Sequence, residues 1–437
     1  MKKKKRFLAL ALVMAGVLLG GCTAGNLMQV TFWLTGPQGA EQVQAARTVV
    51  ISDASAVAAT AASTEDMVTI PRKEYERLLQ FSEAMEILNV ANQYFYQEPD
   101  QQKMLDTANR GLLAGLGDPY SFYYSPEEFA EMKAEDEGRY EGIGVLISSN
   151  AKTQICKVSR VFKNTPAEEA GVQRGDILYK VGEDYYITAD NLNEAVRKYI
   201  RGEPGTTVTL TFLRDGEEMV LTIPRRAIEV NQIEATMLDK RIGYIALYQF
   251  AGQCQKEFET ALNSLLVQGM KGLIIDVRNN PGGWVMQARD IADLFLDKGE
   301  LCYLVYRNGL ESHSEYPTYD GGVKIPLVVL INEDSASSSE ILSGALRDRA
   351  GATLVGVTSF GKGIIQAVWD VGNRGAGFQM TIAQYMTPSG YAVHQNGLVP
   401  DVEVPLEEGD TGTYDFADLV HDPQLKKAYE VMKEKMK

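Results

Sequence analysis

NEDSASSSEILSGALRDRAGATLVGVTSFGKGIIQ, residues Asn332 to Gln366, is the stretch on which the fold turns. It follows an apolar run, Leu327-Val328-Val329-Leu330-Ile331, with the composition of a buried strand. A serine-rich turn comes next, and Glu340 to Leu346 then runs at helical spacing with Ile341, Leu342, Ala345 and Leu346 on one face. A second apolar strand, Thr353 to Val357, leads into Gly361-Lys362-Gly363. Small residues and hydroxyls at a strand-to-helix turn leave a serine oxygen accessible beside the unspent N–H groups of the helix. A lysine between two glycines, entering the next apolar strand, can approach that serine. Either this is an active site, or the serines cap a helix and the lysine sits in a tight turn.

Upstream, strands and helices alternate from Ile242. Ile242 to Leu247 reads as a strand, and Glu257 to Val267 as a helix with Phe258, Ala261, Leu262, Leu265 and Leu266 inward. Leu273 to Val277 is the next strand, followed by Arg278-Asn279-Asn280-Pro281-Gly282-Gly283 and a helix from about Trp284 to Phe295. This is α/β patterning with buried, mostly parallel strands. Sites in such sheets gather on loops leaving the carboxyl ends of strands, which here are Asn279–Gly283 and Asn332–Ser339.

Short strands occupy Tyr140 to Ile223, with a one-turn helix at Pro166–Ala170, an amphipathic helix at Asn191–Ile200 and a hairpin turned at Asp215-Gly216. This order around a loop Gly142-Ile143-Gly144-Val145 resembles a PDZ domain over residues 138–226. Successive N–H groups of such a loop nest a terminal carboxylate, and the peptide behind it adds a strand to the sheet edge. Before it, helices are expected over Pro71–Gln97, Gln101–Leu116 and Glu127–Lys133, a packing region. Pro423 to Lys437 reads as a final helix capped by Asp422, with Leu425, Ala428, Tyr429 and Met432 on one face.

The amino terminus has the layout of a secretory signal. Five consecutive positive charges, Lys2 to Arg6, precede an apolar run of 14 residues, Phe7 to Gly20. Leu19-Gly20-Gly21-Cys22 resembles a bacterial lipoprotein processing site, which would lipidate Cys22; the alternative is an uncleaved signal anchor. Both place the body outside the cytoplasm, attached to the membrane. Gly36 to Thr64, rich in Ala, Ser, Thr and Gln, reads as a spacer. The expected division is thus leader 1–22, linker 23–68, helical region 69–137, PDZ 138–226, core 227–407 and tail 408–437.

Totals narrow the chemistry. A net charge of −15 and a pI near 4.9 argue against nucleic acid as a partner. Three histidines, no HExxH and no zinc-type Cys/His spacing leave no expected metal or cofactor. Cys156, Cys254 and Cys302, an odd number without Cys22, read as small buried hydrophobes. Ser359-Phe360-Gly361-Lys362 has the S-x-x-K letters, but its glycines disfavour the required helix and neither S-D-N nor K-T-G occurs. The glycine loop lacks G-x-x-x-x-G-K-[ST], so it is no phosphate loop. An acyl-transfer site with a serine of Ser335–Ser339 and Lys362 as base remains, as does the capped helix. The base would have to be neutral near pH 7, a shift of about 3 units or roughly 4 kcal/mol. Phe360, Ile364 and Ile365 are expected to bury it.

RNNPGG, SASSSEILSGALRD, FGKGIIQ and TPSGYAVHQNGLVPDVEV, in this order, resemble the carboxyl-terminal processing (tail-specific) serine peptidases. The similarity spans about Arg72 to Leu406, including GLGDPYSFY. It implies a multidomain α+β protein with a helical N-terminal region, an inserted PDZ domain and a crotonase-like α/β protease core. It also implies Ser337 as nucleophile, Lys362 as general base 25 positions on, and Gln366 as the lysine's partner. Ser338, where the family usually has alanine, and Gly282 or Gly283 would supply oxyanion N–H groups. Partners would be protein substrates with accessible C-terminal tails, held at Gly142, Ile143, Gly144 and Val145. In some members the PDZ domain gates the site and subunits pair as homodimers. The alternative is a PDZ-based binding or scaffold protein with a quiescent peptidase fold.

Overall fold

The computed structural model describes residues 69–437 apart from 151–152, 314, 320–321 and 408–413, preceded by three short strands at Met14–Val17, Gln29–Trp33 and Arg47–Val50. Cys22 lies outside the described residues. Arg47–Val50 falls in the expected spacer, yet its β-branched Thr48, Val49 and Val50 pair antiparallel with Gln29–Trp33. The chain divides into two compact units, residues 1–130 with 367–380, and 131–366 with 381–437.

In the first unit the helix expected over Pro71–Gln97 is two, Arg72–Leu79 and Ser82–Tyr94. Gln80 and Phe81 donate to carbonyls only three residues back, which tightens the turn. Ser82 and Glu83 then supply a fresh first turn. Gln101–Ala114 follows, capped by Asp100 Oδ1 accepting from Lys103 N at 3.0 Å. The strand Phe122–Tyr124 pairs with residues 377–379, and Phe129 lies where a Cβ on Gly377 would be 2.4 Å from its ring.

The second unit holds two sheets that matter for function. In the PDZ sheet the strands run in the order Glu217–Pro224, Thr207–Arg214, Ile177–Val181, Ile155–Val161, Val145–Asn150, which leaves Val145–Asn150 at the edge. The Gly142–Val145 loop follows a strand, Arg139–Gly142, which pairs with Arg226–Glu229. Gly144 turns the chain at φ +93°, where a Cβ would meet Thr165 at 2.3 Å. The next strand therefore begins at Val145.

The core sheet has the order Ile233–Met237, Ile242–Leu247, Gly272–Asp276, Leu327–Ile331, Thr353–Gly356, Val402–Glu403, parallel throughout after the first strand. Every residue of the second, third and fourth strands is buried, as near-continuous apolar runs require. Alternation sends Ile245, Leu273, Ile275 and Val329 to one face, under helices Cys254–Val267, Val285–Asp293 and Ser338–Ala350. Tyr244, Ile274, Val328 and Leu330 go to the other face, against Leu425, Ala428 and Met432 of the last helix, Pro423–Lys435. That helix covers the core, and Asp422 caps it by accepting from Leu425 N at 2.9 Å. The fold is multidomain, α+β overall with an α/β core.

Candidate active site

Two loops leave the carboxyl ends of neighbouring parallel strands, residues 277–284 after Gly272–Asp276 and residues 332–337 after Leu327–Ile331. Buried Asn280 stitches them. Its Nδ2 donates to Leu247 O at 2.8 Å and its Oδ1 accepts from Gly282 N at 2.9 Å. Its backbone oxygen accepts from Ala336 N at 3.0 Å and Ser339 Oγ at 2.9 Å. Ser335 Oγ adds a bond to Val277 O at 2.8 Å.

This stitching holds Ser337, half-buried, at φ 55° and ψ −115°, as N-cap of the helix Ser338–Ala350. Such a backbone costs about 1–3 kcal/mol and persists only where its surroundings over-determine it. The positive end of the helix dipole faces this turn. Gly282 is pressed against it, since a Cβ there would lie 2.8 Å from Ser337 Cβ and 3.0 Å from Ser338 N. The two glycines differ in their amides. Gly282 N–H is spent on Asn280. Gly283 forms a parallel bridge with Phe250, through Phe250 N to Gly282 O and Trp284 N to Phe250 O. Its own N–H and C=O therefore point the other way. The C=O accepts from Ser338 Oγ at 2.7 Å, so that side faces the serine turn.

The lysine loop arrives through one carboxylate that the sequence reading had given no role. Glu340 is fully buried. Its Oε2 accepts from Ser337 N and from Lys362 N, both at 2.9 Å. Its Oε1 accepts from Gly361 N at 2.7 Å and Ser359 Oγ at 2.5 Å. Burial pushes the Glu340 carboxyl up from its ordinary value, and these four donors pull it part of the way back. The glycines flanking Lys362 permit close approach to a neighbouring loop: a Cβ on Gly363 would be 2.2 Å from His394 N, and one on Gly361, at φ +87°, 2.9 Å from Gly397 N.

Lys362 is half-buried between buried Gly361 and Gly363. Ile364 and Ile365 are buried as expected, but Phe360 is 55% exposed and does not shield the amine. Its backbone N–H is drawn to Ser335 O at 3.0 Å, which turns the ring outward. Gln366 Nε2 donates to Thr381 Oγ1 at 3.1 Å, so the amide is pinned by its nitrogen end.

A second unforeseen group braces the glycine loop. Arg278, near its start, donates to Asp276 and to Asp422, each from Nη2 at 2.6 Å, and to Gln424 from Nη1 at 3.0 Å. Tyr244 OH adds a bond to Asp276 at 2.7 Å. Although burial disfavours its charge, the two carboxylates hold the guanidinium protonated, its pKa well above the ordinary value. The signal for this triad was an Asp-Val-Arg at a strand end; its partner 144 residues on was not legible. Asp348, 9% exposed in its side chain, lies 3.5 Å from Arg347 Nε and accepts from Ser389 N at 2.9 Å.

At the PDZ loop, Ile143 turns its side chain into the domain core, and its carbonyl accepts from Ala167 N at 2.8 Å. The Gly144 carbonyl accepts from Phe162 N at 3.0 Å. A groove of about 310 Å³ runs beside this loop, lined by Ile143, Val145, Ile147, Leu192, Val196 and Ile200 among others.

Comparison with known proteins finds matches to both parts of the second unit. Residues 241–404 match the model of peptidase family S41, and residues 142–224 that of the PDZ domain. A carboxyl-terminal-processing protease of Synechocystis is 38% identical over 309 residues, 69% of this chain and 71% of the relative. Carboxy-terminal processing protease CtpA of Bacillus subtilis is 34% identical over 336 residues, 73% of this chain and 71% of the relative. Among solved structures, the photosystem II D1 C-terminal processing protease aligns with a TM-score of 0.52 at 27% identity, covering 72% of this chain and 86% of that one.

Proposed function

The chain belongs to peptidase family S41, the carboxyl-terminal processing serine proteases, and we propose that it cleaves tailed protein substrates through Ser337, Lys362 and Gln366. The observation that carries this reading is the Glu340 carboxylate, which ties the backbone N–H of Ser337 to that of Lys362. Neutral Lys362 takes the Ser337 hydroxyl proton as Oγ attacks the scissile carbonyl. The N–H groups of Ser338 and Gly283 hold the developing oxyanion; Gly282, its amide engaged by Asn280, lets the loop approach. Collapse passes the proton from Lys362 to the leaving amine and leaves an acyl-enzyme, which water then hydrolyses with Lys362 again as base. Gln366, held at Nε2 by Thr381, offers its carbonyl oxygen to the lysine amine.

The PDZ domain suits C-terminal tails, which would enter along the edge strand Val145–Asn150 with the carboxylate at the 142–145 loop. The proposal includes the six-part division given above. It also includes an extracytoplasmic body attached to the membrane at its amino terminus, by lipid on Cys22 or by an anchor. Exposed Ile87, Val90 and Tyr94 on one helix favour a homodimer through the N-terminal region.

The test follows proteolysis of an unfolded protein bearing an apolar C-terminal tail, with wild type, Ser337→Ala and Lys362→Ala from pH 6 to 10. Loss in both variants, and a wild-type rate that climbs with pH as the amine loses its proton, supports the mechanism. Retained cleavage by either variant refutes it.

A further inference from the structure

The carboxylate nest of the PDZ groove already has an occupant. Tyr140 lies on the strand Arg139–Gly142, opposite Ile228, and lines the groove with Gly142, Ile143 and Val145. Its ring crosses the first residue of the loop, since a Cβ on Gly142 would be 3.0 Å from Tyr140 Cε2. The bond from Phe162 N to Gly144 O flanks the Val145–Val161 pair, which makes that pair a non-hydrogen-bonded one. Val145 N–H consequently points to the open edge. The N–H groups of Gly144 and Val145 face the phenolic oxygen, which is wholly buried and closes no regular hydrogen bond.

Cationic groups surround the same spot. The Arg201 guanidinium stands 5.5 Å from the Tyr140 ring centroid. Arg160 lines the groove over the Tyr248 ring, its Nη2 donating to Asn231 O at 3.1 Å and lying 3.8 Å from Glu234 Oε1, while its buried Nη1 has no hydrogen-bond partner. Two amides and two guanidiniums thus lie around one neutral phenolic oxygen. A carboxylate, with two oxygens and a charge, fits that donor set better than a phenol does. Burial pushes the phenol up to about 12, so it brings no charge of its own at neutral pH.

We propose that Tyr140 is an internal competitor for the terminal carboxylate: its phenol fills the nest, and a tail seats only as the phenol withdraws. Tyr140 thereby sets the affinity threshold that a substrate tail must exceed. The inference rests on the tail-binding reading of the groove. Removing the oxygen takes from the resting state its one acceptor for the nest amides. Tail affinity then rises by up to about tenfold, the ceiling that one well-formed neutral hydrogen bond would set.

The test uses the intact chain carrying Ser337→Ala, and a fluorescent ten-residue peptide ending in Ala-Ala as free acid or as carboxamide. Polarisation titrations compare Tyr140 with Tyr140→Phe. Tyr140→Leu, which keeps an apolar contact with Gly142, must shift affinity the same way. Preference of the parent for the acid, with tighter binding by both variants, supports the proposal. Unchanged affinity makes the phenol structural and weaker binding makes it a direct ligand of the tail; either overturns the competitor while tail binding stands. Failure of all three proteins to bind the acid form overturns both readings.

Discussion

Glu340→Gln is the perturbation that probes the site most sharply, because it keeps the shape and removes one acceptor. The carboxylate receives four donors, two on each oxygen: Ser359 Oγ and Gly361 N on Oε1, Ser337 N and Lys362 N on Oε2. An amide leaves one end as NH2, which cannot accept. If that end takes the Oε2 place, the N–H groups of Ser337 and Lys362 face a third donor. At the Oε1 place, Gly361 N and the Ser359 hydroxyl are stranded, and that hydroxyl is already the acceptor for Leu398 N at 2.6 Å. A buried donor left unsatisfied costs about 1–3 kcal/mol, so two cost roughly 2–6 kcal/mol. Part of this appears as lost stability in urea melts. The rest appears as a serine and a lysine no longer held in register, lowering kcat by roughly tenfold or more while KM for a tailed substrate stays near wild type. A Glu340→Gln protein with wild-type kcat and an unchanged urea midpoint would refute the claim that this carboxylate holds nucleophile and base together.

Gly363→Ala places a methyl 2.2 Å from His394 N, a backbone atom that cannot step aside, so expression and thermal stability fall even though residue 363 carries no chemistry. Normal melting of that variant would show that the two loops are not tightly apposed. Arg278→Met strands two buried carboxylates, Asp276 and Asp422, and lowers stability by about 3–5 kcal/mol in urea melts. A loss below 1 kcal/mol would mean the triad is dispensable. Burial raises the thiols of Cys254 and Cys302 to about 12 and also lifts Cys156. A raised pKa leaves little thiolate at pH 8, so Ellman's reagent finds these three unreactive in the folded chain. Full denaturation of membrane-extracted protein releases four thiols if Cys22 is unmodified and three if it carries lipid.

Much of this protein is legible in its residue order because the signals are local. Runs such as Leu327–Ile331 declare buried parallel strands, and a serine-rich turn before the helical spacing of Glu340 to Leu346 announces a helix. Glycines at 142, 144, 282, 283, 361 and 363 mark where backbone must pass close to something, and the structure supplies the something: Tyr140, Thr165, Ser337, Phe250, the 395–397 segment and His394. The break of the first helix at Gln80–Phe81 and the outward turn of Phe360 were misjudged for one reason. Periodicity and apolar flanks count residues, and cannot tell which carbonyl a given N–H will reach.

What the sequence determines alone is therefore the inventory and its order: a PDZ-like sheet, an α/β core, a serine-rich turn and a glycine–lysine loop. What only the tertiary structure decides is pairing across distance. Glu340 reads only as the first residue of a helical stretch until the fold brings Gly361 and Lys362 onto its carboxylate. Gly282 and Gly283 read alike until Asn280 takes the amide of one and Phe250 turns that of the other toward Ser338. Such contacts form only once separate strands have been set side by side in a sheet. Hydrogen-bond direction then assigns each donor its acceptor, and no local pattern in the chain carries that information.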